Sequence, residues 1–143
     1  MRNNPIFILL AGGKSERMGV DKGLIKYKQT FWLLEQLQRI SNSNISTVYI
    51  GLGYHYQHYF NAISWLKNAQ EITYSFENLK VKVVINESPE KGTFSTLQSV
   101  LKNISDKKEV IINPIDIPIL NSKELNKIIS IKNNIVIPNF ALI

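Results

Sequence analysis

A doubly wound α/β domain with a mainly parallel sheet is predicted by three observations in the 143-residue chain. The first is Ile6 to Leu10 (IFILL), a continuous apolar run of strand length that fits a strand buried on both faces. The second is the alternation of such runs with segments of helical periodicity, the pattern of βαβ units. The third is the set of turn-forming segments that break these runs, the four glycines of Ala11 to Gly23, Ser41-Asn42-Ser43-Asn44 and Gly51-Leu52-Gly53. Ligands in such a sheet bind outside the carboxyl ends of the strands, which directs attention to Ala11 to Lys22, Glu87 to Thr96 and Asn113 to Leu120.

The elements follow in order. After the first strand, Ala11 to Gly23 interrupts the apolar pattern with four glycines. Phe31 to Ile40 has apolar residues at 31, 33, 34, 37 and 40, which is helical spacing, and Ser41-Asn42-Ser43-Asn44 ends it. Thr47 to Ile50 is the second strand, with Gly51-Leu52-Gly53 as its exit. Tyr56 to Ala69 is helical and aromatic, Val81 to Ile85 is the third strand, and Phe94 to Leu101 is a helix with Leu97, Val100 and Leu101 inward. Val110 to Ile112, Ser122 to Ile131 and Ile135 to Ile137 are then strand, helix and a last short strand. Lys80 and Lys82 read as a solvated edge around Val81, and Trp32 and Trp65 as core or interface residues.

Composition narrows the function classes. At 44% hydrophobic residues the chain is an ordinary globular sequence, and its length suffices to bury roughly two thirds of the unfolded surface without staples. The absence of cysteine excludes thiol nucleophiles, disulfides and Cys-ligated metal clusters. A net charge of +6 is compatible with an anionic partner, but the lysines are scattered and no nucleic-acid motif occurs, so no nucleic-acid partner is expected. No stretch is long enough to span a bilayer, and the apolar Pro5 to Gly13 is followed by Lys14, Glu16 and Arg17 where a signal peptide needs small residues. A cytoplasmic protein without membrane partners is the expectation.

Three loops carry the candidate chemistry. In Ala11-Gly12-Gly13-Lys14-Ser15-Glu16-Arg17-Met18-Gly19-Val20-Asp21-Lys22, glycines allow close backbone approach to a phosphate, and Arg17 and Lys22 add formal charge. A triphosphate suits such a loop. Gly13-Lys14-Ser15 resembles the end of a P-loop, but Ile8 stands where the first P-loop glycine is needed. After the fourth strand, Asp116 is a lone carboxylate that either completes a metal-nucleotide site, with Mg²⁺ the natural ion, or caps a turn. After the third strand, Gly92, Thr93, Ser95 and Thr96 either read a base or ribose or cap a helix. His55 and His58 lie three apart, yet no carboxylate or cysteine is near in sequence, and aromatic packing is the preferred reading.

Leu10 to Lys22 (LAGGKSERMGVDK) resembles the signature L-A-[AG]-G-x-S-x-R-M-G-x-D-K of the MobA-like nucleotidyltransferases, the molybdenum cofactor guanylyltransferases and cytidylyltransferases, at every fixed position. The resemblance implies a Rossmann-like three-layer sandwich of the nucleotide-diphospho-sugar transferase type. It also implies NTP binding by Leu10, Ala11, Gly12, Gly13 and Ser15, with Arg17 near the phosphates and Lys22 on the phosphate that gains charge. Asp116-Ile117-Pro118 resembles the family's D-x-P metal motif, which favours Asp116 as the Mg²⁺ ligand. Gly92 to Leu97 resembles the segment G-x-x-x-S-[LIV], with Thr96 in the serine position, and adds Gly92, Ser95 and Thr96 to the nucleotide site.

The implied reaction transfers NMP from GTP or CTP to a phosphorylated acceptor such as a molybdopterin-type cofactor, releasing pyrophosphate. Residues 135–139 (IVIPN) begin a family segment whose continuation is absent. The expectation is therefore one domain over 1–143, truncated at its C-terminus, corresponding to about the first two thirds of the family domain. The alternative is a nucleotide-binding remnant without transferase activity. The apolar end formed by Ile135, Val136, Ile137, Phe140, Leu142 and Ile143 reads as an exposed edge that either recruits a partner, in a homodimer or with a partner chain, or destabilises the monomer.

Overall fold

The computed structural model describes residues 4–14, 20–105, 108–119, 121–130 and, as backbone only, 135–136. β1 (Ile6–Leu10) lies between β4 (Thr47–Leu52) and β7 (Val110–Pro114), parallel to both, with Phe7 beside Val48 on one side and Ile111 on the other. β6 (Leu79–Ile85) adds in parallel outside β4, and β5 (Tyr74–Phe76) pairs antiparallel with β6. β8 (Ile135–Val136) pairs in parallel with β7, giving the order β5-β6-β4-β1-β7-β8. A small hairpin of β2 (Lys26–Tyr27) and β3 (Thr30–Phe31) stands apart from this sheet.

Alternation along the strands sorts two cores. Phe7, Leu9, Val48, Ile50, Val81 and Val83 face α1 (Trp32–Ser41), α2 (Tyr56–Ala62), α3 (Trp65–Asn68) and α5 (Ser122–Ile129), where Leu37, Tyr59, Leu66 and Leu125 are buried. Ile8, Leu10 and Ile112 face the opposite way, onto Leu97 and Val100 of α4 (Thr93–Leu101). Helices thus cover both faces, as the sequence predicts. The chain first builds outward from β1 through β4 to β6 and then crosses to β7, which places the switch point at the carboxyl end of β1.

The differences are local. The single helix predicted over 56–69 is two helices, because Ile63 adopts φ −130°, ψ 88°. Its apolar periodicity survives the break, since Tyr59, Ile63, Leu66 and Ala69 all enter the same core. The Lys80 and Lys82 segment is not an edge: β6 begins at Leu79 and is covered by β5, a three-residue strand turned back through Glu77 at φ 50°. Trp65 stacks on Tyr74 of β5 with ring centroids 4.1 Å apart, against the core as expected. Residues 137, 140, 142 and 143 of the apolar end lie outside the described residues. Among the described residues no helix is long and apolar enough to cross a membrane.

Candidate functional site at the sheet switch point

The carboxyl end of β1 leads directly into a crevice lined by Leu10, Ala11, Gly12, Gly13, Lys14, Lys22, Tyr59, Thr93, Thr96, Pro114, Ile115 and Asp116. Backbone bonds fix its floor: Ala11 N–H donates to Gly51 O at 2.8 Å, Tyr54 N–H to Gly12 O at 3.2 Å, and Ile115 N–H to Leu10 O at 2.8 Å. Gly12 is required by crowding, because a Cβ there would stand 2.9 Å from Thr96 Oγ1 and 3.1 Å from Gly53 N. Gly13 differs: a Cβ would meet nothing within 4 Å, so its exposed backbone faces open space. That combination, one glycine wedged and the next open, suits a backbone presented to a ligand.

Lys22 and Asp116, 94 residues apart, meet across the crevice with Nζ 3.0 Å from Oδ2. Both side chains are about half exposed, at 46% and 49%, so water screens the pair and its contribution to folding is about 1 kcal/mol or less. Its position is better determined than its energy. Asp116 sits in a turn closed by Ile117 N–H donating to Pro114 O at 3.1 Å, and the buried Asn113 Nδ2 donates to Pro114 O and Ile117 O at 3.0 and 2.8 Å. From α1, Trp32 Nε1–H donates to Ile115 O at 2.8 Å, Ile119 N–H donates to Gln36 Oε1 at 2.8 Å, and Arg39 donates to Ile119 O at 2.7 Å. Trp32 therefore does more than fill space: it holds the backbone beside the aspartate.

Tyr59 supports Lys22 from below. Its buried hydroxyl accepts the Gly23 N–H at 3.1 Å, and a Cβ on Gly23 would lie 2.7 Å from the ring. Burial pushes the phenol far above the ordinary tyrosine range, opposed by the Gly23 bond and reinforced by the nearby Asp21 carboxylate.

The third loop is organised by Asn86, buried at the end of β6. Its Nδ2 donates to Ser95 Oγ at 2.8 Å and Thr96 Oγ1 at 3.0 Å, while its Oδ1 accepts the Ser88 N–H at 2.9 Å. Ser95 Oγ also donates to Gly92 O at 2.6 Å. Both hydroxyls are thus engaged within the protein. Thr96 forms a wall of the crevice, whereas Gly92 and Ser95 are not among its lining residues.

Of the sequence-predicted site residues, Leu10, Ala11, Gly12, Gly13, Lys22, Thr96 and Asp116 converge on this crevice; Ser15 and Arg17 lie outside the described residues. Sequence reasoning does not find Tyr59 and gives Lys14 and Asn86 no role, whereas Thr93, read there as a base- or ribose-reading hydroxyl or a helix cap, does line the crevice. The signals for Tyr59 and Asn86 are weak, since only long-range packing brings them here. A wider groove adjoins, lined among others by Gly53, Tyr54, Gln57, Asn86, Glu87 and Pro89 between the exits of β4 and β6. At its margin the buried carboxylate of Asp21 lies 2.8 Å from Nδ1 of both His55 and His58, the carboxylate that the sequence around those histidines lacks.

Fold and site together define a doubly wound α/β domain whose switch point carries a glycine loop, a lysine and an aspartate. The chain belongs to the MobA-like NTP transferase domain family, whose model matches residues 7–141. It is 26% identical over 123 residues to a molybdenum cofactor guanylyltransferase of Xanthomonas euvesicatoria pv. vesicatoria (strain 85-10), covering 86% of this chain and 52% of that protein. Among solved structures it resembles Rv0371c of Mycobacterium tuberculosis H37Rv, with TM-score 0.60, 21% identity, and coverage of 89% of this chain and 60% of the other. It also resembles HddC from Yersinia pseudotuberculosis complexed with GMP-PN, with TM-score 0.58, 18% identity, and coverage of 76% and 47%. These structural likenesses establish the fold, and the chain spans about half the length of the curated relative it matches.

Proposed function

We propose that this protein binds a nucleoside triphosphate with Mg²⁺ and transfers its NMP group to a phosphorylated acceptor. Convergence of the first loop, Lys22 and Asp116 on one crevice, although distant in sequence, is the observation that supports this reading. The loop backbone from Leu10 to Gly13, continued by Ser15 and Arg17, would hold the phosphates. Lys22 would supply charge to the α-phosphate as it becomes five-coordinate. Asp116 contributes one carboxylate, and nucleotide phosphates contribute the other oxygens, the donor set that Mg²⁺ takes. A cation already fits against that carboxylate in the form of the Lys22 ammonium. When bound, the metal would neutralise charge on the α-phosphate oxygens.

In the balanced reaction an acceptor phosphate oxygen bonds to the α-phosphorus while the bond to the bridging oxygen breaks, so that pyrophosphate leaves and a diphosphate linkage forms. No protein nucleophile is required, and positioning with electrostatic stabilisation supplies the rate. Gly92, Ser95 and Thr96 would act on the nucleotide by shaping the loop beside the groove, with the base resting between the exits of β4 and β6. The name of the Xanthomonas relative favours GTP over CTP and a molybdopterin-type acceptor. The described domain is proposed to act as the nucleotide-binding unit.

A thermal-shift panel of the four NTPs with Mg²⁺, followed by a pyrophosphate-release assay with candidate acceptors, tests this. A rise in unfolding temperature for one NTP and acceptor-dependent release are expected. Binding without release would favour a nucleotide-binding protein lacking turnover, and a flat panel would refute the proposal.

A further inference from the structure

Among the described residues outside the crevice, ligating groups converge at Asp21 with His55 and His58, the chain's two histidines. Asp21 Oδ1 lies 2.8 Å from His55 Nδ1, and Oδ2 lies 2.8 Å from His58 Nδ1. The imidazole rings stack with centroids 4.7 Å apart and planes 24° from parallel. Asp21 is buried, whereas the histidines are 40% and 59% exposed, so the cluster has a fixed anionic base and an open outer side. Local backbone is committed to this arrangement. His55 adopts φ 60°, ψ 26° at the start of α2, a left-handed conformation that costs a non-glycine residue free energy, and His58 follows one turn later.

We propose that Asp21, His55 and His58 form a divalent-cation site, separate from Asp116, that takes a late first-row metal of the Zn²⁺ class. Donor chemistry makes the selection. Two imidazole nitrogens and one carboxylate oxygen suit Zn²⁺ or Co²⁺, whereas Mg²⁺ prefers an all-oxygen shell. Dimensions agree as well. Metal bonds of about 2.0 Å at tetrahedral angles place neighbouring donors about 3.3 Å apart, and the three ligand atoms here all lie within 4.8 Å of one another. A bound cation would exchange the two hydrogen bonds for metal bonds and draw the donors to that spacing. The open side leaves a coordination position facing the groove lined by Tyr54, Gln57 and Glu87, accessible to water or to an anionic ligand.

The site also has a mechanical consequence. Asp21 immediately precedes Lys22, and its carbonyl accepts the Leu24 N–H at 2.9 Å in the 3₁₀ turn that carries Lys22. A cation gripping Asp21 together with α2 would tie that turn to the helix bearing Tyr59.

The test uses the full chain, with Zn²⁺ competed against a chromophoric chelator and the imidazole nitrogens followed by ¹⁵N NMR, where only two histidines contribute. One equivalent of Zn²⁺ is expected to bind with both Nδ1 resonances shifted, and excess Mg²⁺ is expected not to displace it. Affinity should fall at least tenfold in His58→Gln and further in the His55→Gln, His58→Gln double variant. Asp116→Ala should bind Zn²⁺ within twofold of wild type, which separates this site from the proposed nucleotide site. Wild-type affinity in the double variant, or no Zn²⁺ binding by the native chain, would overturn the assignment. The histidines are exposed enough for these variants to fold, and unfolding curves verify it.

Discussion

Lys22→Ala separates a folding role from a ligand role. The ammonium lies 3.0 Å from Asp116 Oδ2 with both side chains about half exposed, so deletion should cost about 1 kcal/mol or less of stability. For a chain of this size that lowers the unfolding temperature by about 2–4 °C or less. If the same ammonium holds a nucleotide phosphate, a hydrogen bond between charged groups worth about 1.5–3 kcal/mol is lost on binding. That corresponds to about a 10- to 150-fold rise in Kd. Isothermal titration with Mg-NTP reads this directly, with Lys80→Ala as the control because it removes the same charge from an exposed strand position. The control should bind within about twofold of wild type, since exposed charges beyond about 8–10 Å are screened at physiological salt. Unchanged affinity in Lys22→Ala, or an equal loss in Lys80→Ala, would refute the reasoning and assign binding to diffuse charge.

Gly12→Ala places a Cβ 2.9 Å from Thr96 Oγ1 and 3.1 Å from Gly53 N, and urea unfolding should show a loss of about 1–3 kcal/mol. Adding Thr96→Ala removes the side-chain clash but not the backbone one, so recovery should be partial. Tyr59 gives a pH prediction: its phenol is raised in the folded protein by burial, so the native state retains the proton longer than the unfolded chain. The stability from that difference is whole below pH about 10 and is lost above it, by up to about 1.4 kcal/mol per pH unit, and Tyr59→Phe should remove this slope. Trp32→Phe deletes the donor to Ile115 O, and about 1 kcal/mol of stability should go with it. NTP binding should weaken as well, because the turn bearing Asp116 loses its tie to α1; unaltered binding would show that the tie is dispensable.

The central strands are legible because burial on both faces demands uninterrupted apolar runs such as IFILL. β5 is not, since Tyr74–Phe76 is only three residues long and gains its pairing from β6 rather than from any pattern of its own. The break at Ile63 is hidden for the opposite reason, because burial preserves the helical spacing across it. In the site, Gly12 and Lys22 are legible as a loop that tolerates close approach and carries charge, but the reason for Gly12 is Thr96, a contact between distant segments. Asn86 and Trp32 give no local signal. An asparagine after a strand and a tryptophan at a helix start are ordinary until their hydrogen bonds are known.

Sequence alone determined the strand and helix alternation, the carboxyl strand ends on which the candidate loops lie and the residue types of the first loop. Periodicity and local backbone freedom are properties of neighbouring residues, and an alphabet read in order contains them. Tertiary structure alone decided which distant groups meet: Lys22 with Asp116 across 94 residues, and Asp21 with His55 and His58 across 34 and 37. Such pairings depend on strand order and on the turn of each chain segment over the sheet. Two histidines that read as aromatic packing in the sequence therefore stand, in the fold, against a buried carboxylate.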